Sequence, residues 1–175
     1  MGVKFTMLKF IFIGVFSFIV SFEVFGTEQI MEEVSIGDGS FRFKGYPLSQ
    51  LITAKDFKTK YKSGYICSAA WRGYKGYWSI SGNSLYLDML VKNPCSFEES
   101  EKLYDLKVLF PNYKTPYSSQ KASWFTGEIV IPISENQLVE GEKNSKGYQL
   151  IEHEVIAYTI KNGDVIKRVI EKRER

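Results

Sequence analysis

Hydrophobic and polar residues alternate most regularly between Tyr65 and Val91, a stretch that holds two of the three tryptophans. Gly82-Asn83 lies near its centre, and a glycine-containing pair of this kind closes a two-residue β-hairpin loop. With this loop, Trp78 and Met89 lie on one apolar face, and the alternation of side chains fixes the register. The predicted pairs are Ile80 with Leu85, Trp78 with Leu87, Gly76 with Met89 and Tyr74 with Val91.

A second hairpin is predicted near the C-terminus, where Asn162-Gly163 is the strongest two-residue turn signal in the chain. Type I′ geometry requires a positive φ at both loop positions, which these two residue types adopt readily. The pairs are Ile160 with Val165, Thr159 with Ile166, Tyr158 with Lys167, Ile156 with Val169 and Val155 with Ile170. Because apolar residues occur on both faces, we expect this hairpin to be covered on both sides.

Shorter patterns predict the remaining elements. The predictions are strands on both sides of a turn at 37–39, strands at 108–110 and 124–132, short helices at 48–57 and 96–106, and loops at 112–123 and 134–147. About seven or eight strands joined by tight turns indicate a mainly β domain. The expected architecture is an antiparallel meander sheet, folded as a sandwich or a small barrel, with one or two short helices.

The N-terminus has the pattern of a secretory signal peptide. Lys4 and Lys9 precede the apolar run Phe10–Phe22, and Val24-Phe25-Gly26 supplies small residues for cleavage after position 26. We therefore predict a signal peptide at 1–26 and a single β-rich domain at 27–175, with an uncleaved N-terminal anchor as the alternative. The protein is expected to be exported, periplasmic or extracellular, with no stable membrane insertion after cleavage.

The predicted mature chain is almost neutral. Removing Lys4, Lys9 and Glu23 from 23 basic and 20 acidic residues leaves 21 and 19, a formal charge of +2. This charge gives no support to a nucleic-acid partner. The 13 phenylalanines and 11 tyrosines favour strands over helices.

Cysteine usage agrees with export, since Cys67 and Cys95 are the only two cysteines. An exported chain meets an oxidising compartment, so we predict a disulfide that encloses the first hairpin, with Cys67 on a neighbouring strand. Such a closure stabilises the fold by roughly 3 to 4 kcal/mol in the chain-entropy model. The alternative is two separate thiols, with Cys67 buried and Cys95 in a loop.

Catalytic chemistry has little support in the sequence. His153 is the only histidine, it lies between two glutamates, and the predicted register places Lys172 opposite it. One histidine and no cysteine cluster exclude the common zinc sites, and no serine has the surroundings of a nucleophile elbow. Asp88 could act with a second acid on a sugar, but a solvent-facing carboxylate bonded to a tyrosine is the simpler interpretation. No catalytic residue, metal site or cofactor is predicted.

Aromatic and charged residues of the central stretch are the binding candidates: Trp71, Arg72, Tyr77, Tyr86 and Asp88. Flat rings and a planar cation form a platform that suits a sugar or a protein partner. A structural interpretation places Trp71 and Trp78 in the core and pairs Arg72 with an internal acid, and we favour it for these three residues. The narrower candidate is the mixed face of Tyr77, Tyr86 and Asp88, with Arg72 at its edge.

Several short motifs between Tyr65 and Ile133 form a recognisable pattern: WRGY, a tryptophan four residues after its tyrosine, LYL, LFP and WFTGEI. The pattern resembles a group of small uncharacterised bacterial proteins, and the resemblance implies a bacterial, β-rich single domain. Small proteins of this kind sometimes accompany toxin and secretion systems as immunity or accessory proteins.

The sequence therefore favours an exported, non-enzymatic bacterial protein that binds another macromolecule, most simply a protein partner, as an immunity or accessory protein. A carbohydrate or cell-wall binding module that uses exposed tyrosine and tryptophan is the alternative. A hydrolase centred on Asp88 or His153 is the second alternative.

Overall fold

Nine strands and one α-helix form the part of the chain that the computed structural model describes, which is residues 27–63, 67–92, 94–95, 102–113 and 118–174. The predicted signal peptide and most of the predicted helix at 96–106 lie outside these residues. The elements are β1 Glu32–Ile36, β2 Gly39–Phe43, α1 Ala54–Tyr61, β3 Tyr74–Ser81, β4 Ser84–Lys92, β5 Gln120–Lys121, β6 Gly127–Pro132, β7 Gln137–Lys143, β8 Gln149–Lys161 and β9 Asp164–Glu174.

The strands form one sheet in the order β2-β1-β3-β4-β9-β8-β6, with β5 beside β4 and β7 beside β8. The predicted mainly β fold is confirmed, and every pair is antiparallel except β1 with β3. That parallel pair needs a crossover, which the segment containing α1 supplies. Strand β4 meets β9 only at Ser84 and Asp164. Because β2 and β6 pack without pairing, the described sheet folds over but does not close into a barrel.

The first hairpin, β3–β4, contains a β-bulge that the alternating pattern does not predict. Next to the turn, the predicted partners of Ile80 and Trp78 are confirmed. Tyr77 then pairs with Met89, which leaves Asp88 as the extra residue of β4. The predicted partners beyond this point are wrong, since Gly76 pairs with Leu90 and Tyr74 with Lys92. As a result Leu90 is fully buried, and Met89 is 39% exposed instead of joining the apolar face.

The second hairpin, β8–β9, contains a bulge of the same kind. Ile160 pairs with Val165 as predicted, but Thr159 pairs with Lys167, which leaves Ile166 as the extra residue. The later pairs move by one position: Tyr158 with Arg168, Ile156 with Ile170, Val155 with Glu171 and His153 with Arg173. Most of β9 is exposed, so the expected cover on both sides of this hairpin is wrong.

Other boundaries also differ from the sequence pattern. The α-helix begins at Ala54 because the Thr53 hydroxyl accepts a hydrogen bond from the Asp56 amide, whereas the segment from Pro47 forms a 3-10 turn. The predicted strand at 108–110 is wrong, since Val108 ends the 3-10 turn Leu106–Val108 and no strand follows it there, and the predicted loop at 134–147 contains β7. Cys67 precedes a 3-10 turn at Ser68–Ala70 and does not lie on a strand.

The core lies inside the folded sheet, where α1 contributes Phe57. Phe57 of α1, Phe43 of β2 and Trp78 of β3 are fully buried, and Phe57 contacts Tyr74 and Tyr104 with ring centroids 4.7 and 5.0 Å apart. Burying each large apolar side chain contributes about 1.5 to 3 kcal/mol before entropy is counted. The predicted disulfide between Cys67 and Cys95 is confirmed, and it links the segment before β3 to the segment after β4.

Candidate functional site

The candidate site lies on the outer face of β1 to β5, which we define as the side chains of these strands that point away from the core. Strand registers arrange them in two rows: Arg42, Glu33, Tyr77 and Met89 in one, and Ser40, Ser35, Ser79, Tyr86 and Lys121 in the other. All nine side chains are half-buried or exposed. The outer face therefore presents aromatic, hydroxyl and charged groups from five strands at one surface.

Tyr77, Tyr86 and Asp88 all lie on this face, as the sequence predicts, but Asp88 has different partners. Its Oδ1 accepts hydrogen bonds from the Ser79 hydroxyl at 3.0 Å and the Ser119 hydroxyl at 2.5 Å. The simpler interpretation of a carboxylate bonded to a tyrosine finds no support in these contacts. Two hydroxyl donors hold the carboxylate of the bulged residue in one orientation.

Beside Asp88 a cleft of about 230 Å³ opens, which we call the Asp88 cleft. Its lining residues are Asp88, Met89, Leu103, Tyr104, Asp105, Leu106 and Tyr113. Met89 and Leu103 are 39% and 49% exposed, so apolar side chains meet solvent at the cleft. The Asp105 carboxylate accepts a hydrogen bond from the Lys107 amide at 2.9 Å. Two carboxylates and an apolar wall therefore share one concave surface, whose described lining contains no cationic side chain.

Trp71 is separate from the rows of the outer face in the fold. It follows the 3-10 turn before β3, is 51% exposed, and has the Lys58 ammonium 5.8 Å from its ring centre. The favoured interpretation of Trp71 as a core residue is wrong. Trp78 is in the core, as expected, with 1% of its surface exposed.

Arg72 is buried, with 3% of its surface exposed, so its predicted place at the edge of the mixed face is wrong. Its guanidinium carbon lies 3.4 Å from the ring centre of Tyr46, and Nη2 donates to the Ile30 carbonyl at 3.3 Å. A cation that stacks on an aromatic ring and bonds a backbone carbonyl can remain charged inside the fold. Arg72 is therefore a structural residue, as the favoured interpretation predicts, but its contacts are an aromatic ring and a backbone carbonyl and not the internal acid that was expected.

Glu32 is a buried carboxylate that the sequence reasoning missed. It is fully buried, and its Oε2 accepts a hydrogen bond from Trp78 Nε1 at 2.5 Å. Burial raises the pKa of Glu32 to about 7, although the Trp78 hydrogen bond and the charge of Arg72 oppose that rise. A Cβ at Gly76 would lie 2.7 Å from Oε2, so only glycine leaves room here. Glu32 and Val34 are two residues apart on β1, so their side chains point to the same face of the sheet. This alternation could have predicted that Glu32 faces the core.

His153 lies beside a polar cavity of about 170 Å³ that also includes Ser134, Glu152, Glu154 and Lys172. The Ser134 hydroxyl donates to the Glu135 carbonyl at 3.1 Å and accepts from the Glu154 amide at 2.8 Å. Both roles of that hydroxyl are therefore occupied by backbone groups. The residue opposite His153 is Arg173 and not the predicted Lys172, although Lys172 shares the cavity.

No three histidine, cysteine, aspartate or glutamate side chains within the described ranges are grouped so that they could hold a metal ion. Within the same residues, no helix has the length and apolar character needed to span a membrane. Comparison with known proteins found no matching family model, no similar curated protein and no similar solved structure. The resemblance to small bacterial proteins stays a prediction.

Proposed function

We propose that this chain is an exported, non-enzymatic bacterial protein that binds a protein partner through the Asp88 cleft and the adjoining outer face. The observation that carries this proposal is the combination of exposed apolar side chains and two carboxylates in one cleft. An immunity or accessory role for a secreted toxin fits such a protein, because that role requires binding and no chemistry.

The chemistry of the cleft supports a cationic side chain on the partner. Lysine and arginine combine an aliphatic stem with a charged head, so the stem can lie along Leu103 and Met89 while the head reaches Asp88. The two serine hydroxyls already orient the Asp88 carboxylate, so binding loses little side-chain entropy at this position. Removing one partner of a charge pair that is buried on binding costs more affinity than removing an exposed charge, because the other charge is left buried and unpaired.

The alternative functions have weaker support. A carbohydrate module needs exposed rings on which a sugar can stack, yet Tyr77 and Tyr86 are half-buried and Trp71 is on another segment. A hydrolase centred on His153 needs an activated nucleophile, and the hydroxyl of Ser134 beside it is engaged by the backbone. Disulfide formation is compatible with the exported location.

Quantitative capture from bacterial envelope extracts tests the proposal, with the wild type compared to variants of the cleft. We expect a partner that the wild type retains and that Asp88→Asn and Leu103→Lys lose by at least about tenfold. Asp38→Asn, in the exposed turn before β2, and Leu138→Lys, on exposed β7, are the matched controls and should retain it.

Equal capture by the cleft variants and the controls would contradict the proposal, as would the absence of any retained protein. Thermal unfolding of each variant shows that loss of capture does not reflect loss of the fold. Tryptophan fluorescence that changes with a glycan, and does so less in Tyr77→Ala and Tyr86→Ala, would support the carbohydrate alternative instead.

A further inference from the structure

The outer edge of β9 has no strand beside it over most of its length. Strand β9 pairs with β8 from Asp164 to Glu174, but on its other side it meets β4 only through the pair of Ser84 and Asp164. Beyond Val165, the described part of the chain places no strand against this edge. An unpaired strand edge presents backbone donors and acceptors that can pair with another chain.

Exposed apolar residues accompany this open edge. Ile166 and Ile170 are 61% and 58% exposed, although isoleucine is among the residue types most often buried. Natural edge strands are protected by shortness, proline, bulges or charged side chains; β9 has 11 residues, no proline and its bulge at Ile166 close to the turn, so charged side chains are its main protection, and their order decides which strand can pair with it. The regular segment from Lys167 to Glu174 is long enough to serve as a pairing edge.

The order of charges along β9 suits pairing with a second copy of itself. In a continuous antiparallel sheet with twofold symmetry, one residue faces its own copy at the centre. Centres at Lys167, Arg168 or Glu171 place like charges opposite each other, and a centre at Ile170 places Arg168 opposite Lys172. A centre at Val169 pairs Lys167 with Glu171 twice and Arg168 with Ile170, so no like charges meet over residues 167–171, and the pairing ends before Asp164, which is already paired with Ser84 of β4.

We propose that two copies of this chain join their sheets through β9 in an antiparallel register centred on Val169. The dimer extends the β8–β9 hairpin into a four-stranded ribbon and covers part of the exposed surface of Ile170. This inference goes beyond the proposed partner binding, because β9 contributes no residue to the Asp88 cleft.

Charge reversal tests the register. Sedimentation equilibrium of the protein purified from cells that express the full chain should give a dimer that dissociates on dilution. Lys167→Glu and Glu171→Lys should each weaken self-association by about tenfold or more, because each places two like-charged pairs across the edge. The double variant restores opposite charges and should return to a dissociation constant near that of the wild type. Lys60→Glu on exposed α1 is the matched control.

A wild type that stays monomeric up to about 1 mM would overturn the proposal. So would a double variant that associates no better than the single variants. Glu171 also accepts a hydrogen bond from Arg173, so the thermal stability of each variant is measured alongside.

Cysteine cross-linking provides an independent readout of the same register. Val169→Cys places a thiol opposite its own copy, so oxidation should give a covalent dimer. Ile166→Cys is the control: its side chain is well exposed, but in this register it lies about six residues, or roughly 20 Å, from its copy. Equal cross-linking at the two positions would show random collision and would overturn the register.

Discussion

The hairpins β3–β4 and β8–β9 are built alike but end in opposite environments. Each turns on a two-residue loop with positive φ at both positions, at Gly82-Asn83 and at Asn162-Gly163, and each carries one bulged residue on its second strand. The bulged residue of the first hairpin is Asp88, which two serine hydroxyls hold in a cleft. The bulged residue of the second is Ile166, which is 61% exposed. A one-residue β-bulge therefore lies in a recessed cleft in the first hairpin and on an open strand edge in the second.

The difference arises from the segments that cover each hairpin. The core and α1 lie under β3–β4, and the segment from 102 to 113 provides the other wall of the Asp88 cleft. Strand β9 has only β8 beside it after Val165 in the described structure. Local sequence thus determines the turn, and distant segments determine whether the bulged residue beyond it is covered.

Truncating a residue that follows each bulge should show this contrast most strongly. Leu90 is fully buried, so Leu90→Ala is expected to cost about 2 to 5 kcal/mol of unfolding free energy through lost contacts and a cavity. Ile170 is 58% exposed, so Ile170→Ala should stay within about 0.5 kcal/mol. Urea unfolding at a protein concentration below dimer formation measures both. Similar costs at the two positions would mean that β9 is as well covered as β4.

The same two residues show what the sequence could and could not predict. Type I′ turns and the pairs next to them were predictable, because asparagine and glycine adopt positive φ with little cost. The bulges were not, because Met89, Leu90 and Val91 are three consecutive apolar residues, and alternation cannot select which of them faces inward. Val169-Ile170 presents the same ambiguity. The position of the bulged residue determines which of these side chains face the core, and that position depends on contacts outside the hairpin.

The site was predictable to a similar extent. Tyr77, Tyr86 and Asp88 were placed on one face because alternation near the turn is reliable. The Asp88 cleft was not predictable, because its other wall comes from Leu103 to Tyr113, a segment without periodic pattern. Glu32 was missed because a glutamate on a strand is normally expected to face solvent.

Glu32 offers the second test, because this residue of β1 places a buried carboxyl group against Trp78 of the first hairpin. Its pKa is raised from 4.5 to about 7 in the folded protein. A raised pKa means that the contribution of this group to stability is fully present below about pH 4.5 and is lost as the pH rises through about 7. The difference corresponds to about 3 kcal/mol. Glutamine does not titrate, so the stability of Glu32→Gln should vary much less between about pH 4.5 and 7 than the stability of the wild type.

Glu33→Gln is the control for this experiment, since Glu33 is the neighbouring glutamate and pairs with Lys75 on the outer face. The stability of Glu33→Gln should still fall as the pH rises from about 4.5 to 7, because Glu32 is unchanged in this variant. Chemical denaturation at a series of pH values provides the measurement. A Glu32→Gln profile that parallels the wild type would show that another group is responsible.

The smallest expected effect concerns Arg173, near the end of β9. Its Nη2 lies 2.8 Å from Glu128 on β6 and 2.7 Å from Glu171, and these two carboxylates raise its pKa. Because the three side chains are 34 to 42% exposed, water and salt weaken the pairs. We expect Arg173→Gln to cost about 0.5 to 1 kcal/mol in dilute buffer and less in about 1 M salt.

Lys44→Gln serves as the control, because Lys44 and Glu28 form a 2.7 Å pair at 60% and 67% exposure, where little stabilisation is expected. If Arg173→Gln instead costs as much as Leu90→Ala, and salt does not reduce the cost, then the side chain acts through packing over β8 and not through charge. The Arg173 side chain would then cover part of the second hairpin in place of a neighbouring strand. The two hairpins would differ because the core covers the first and a single side chain covers the second.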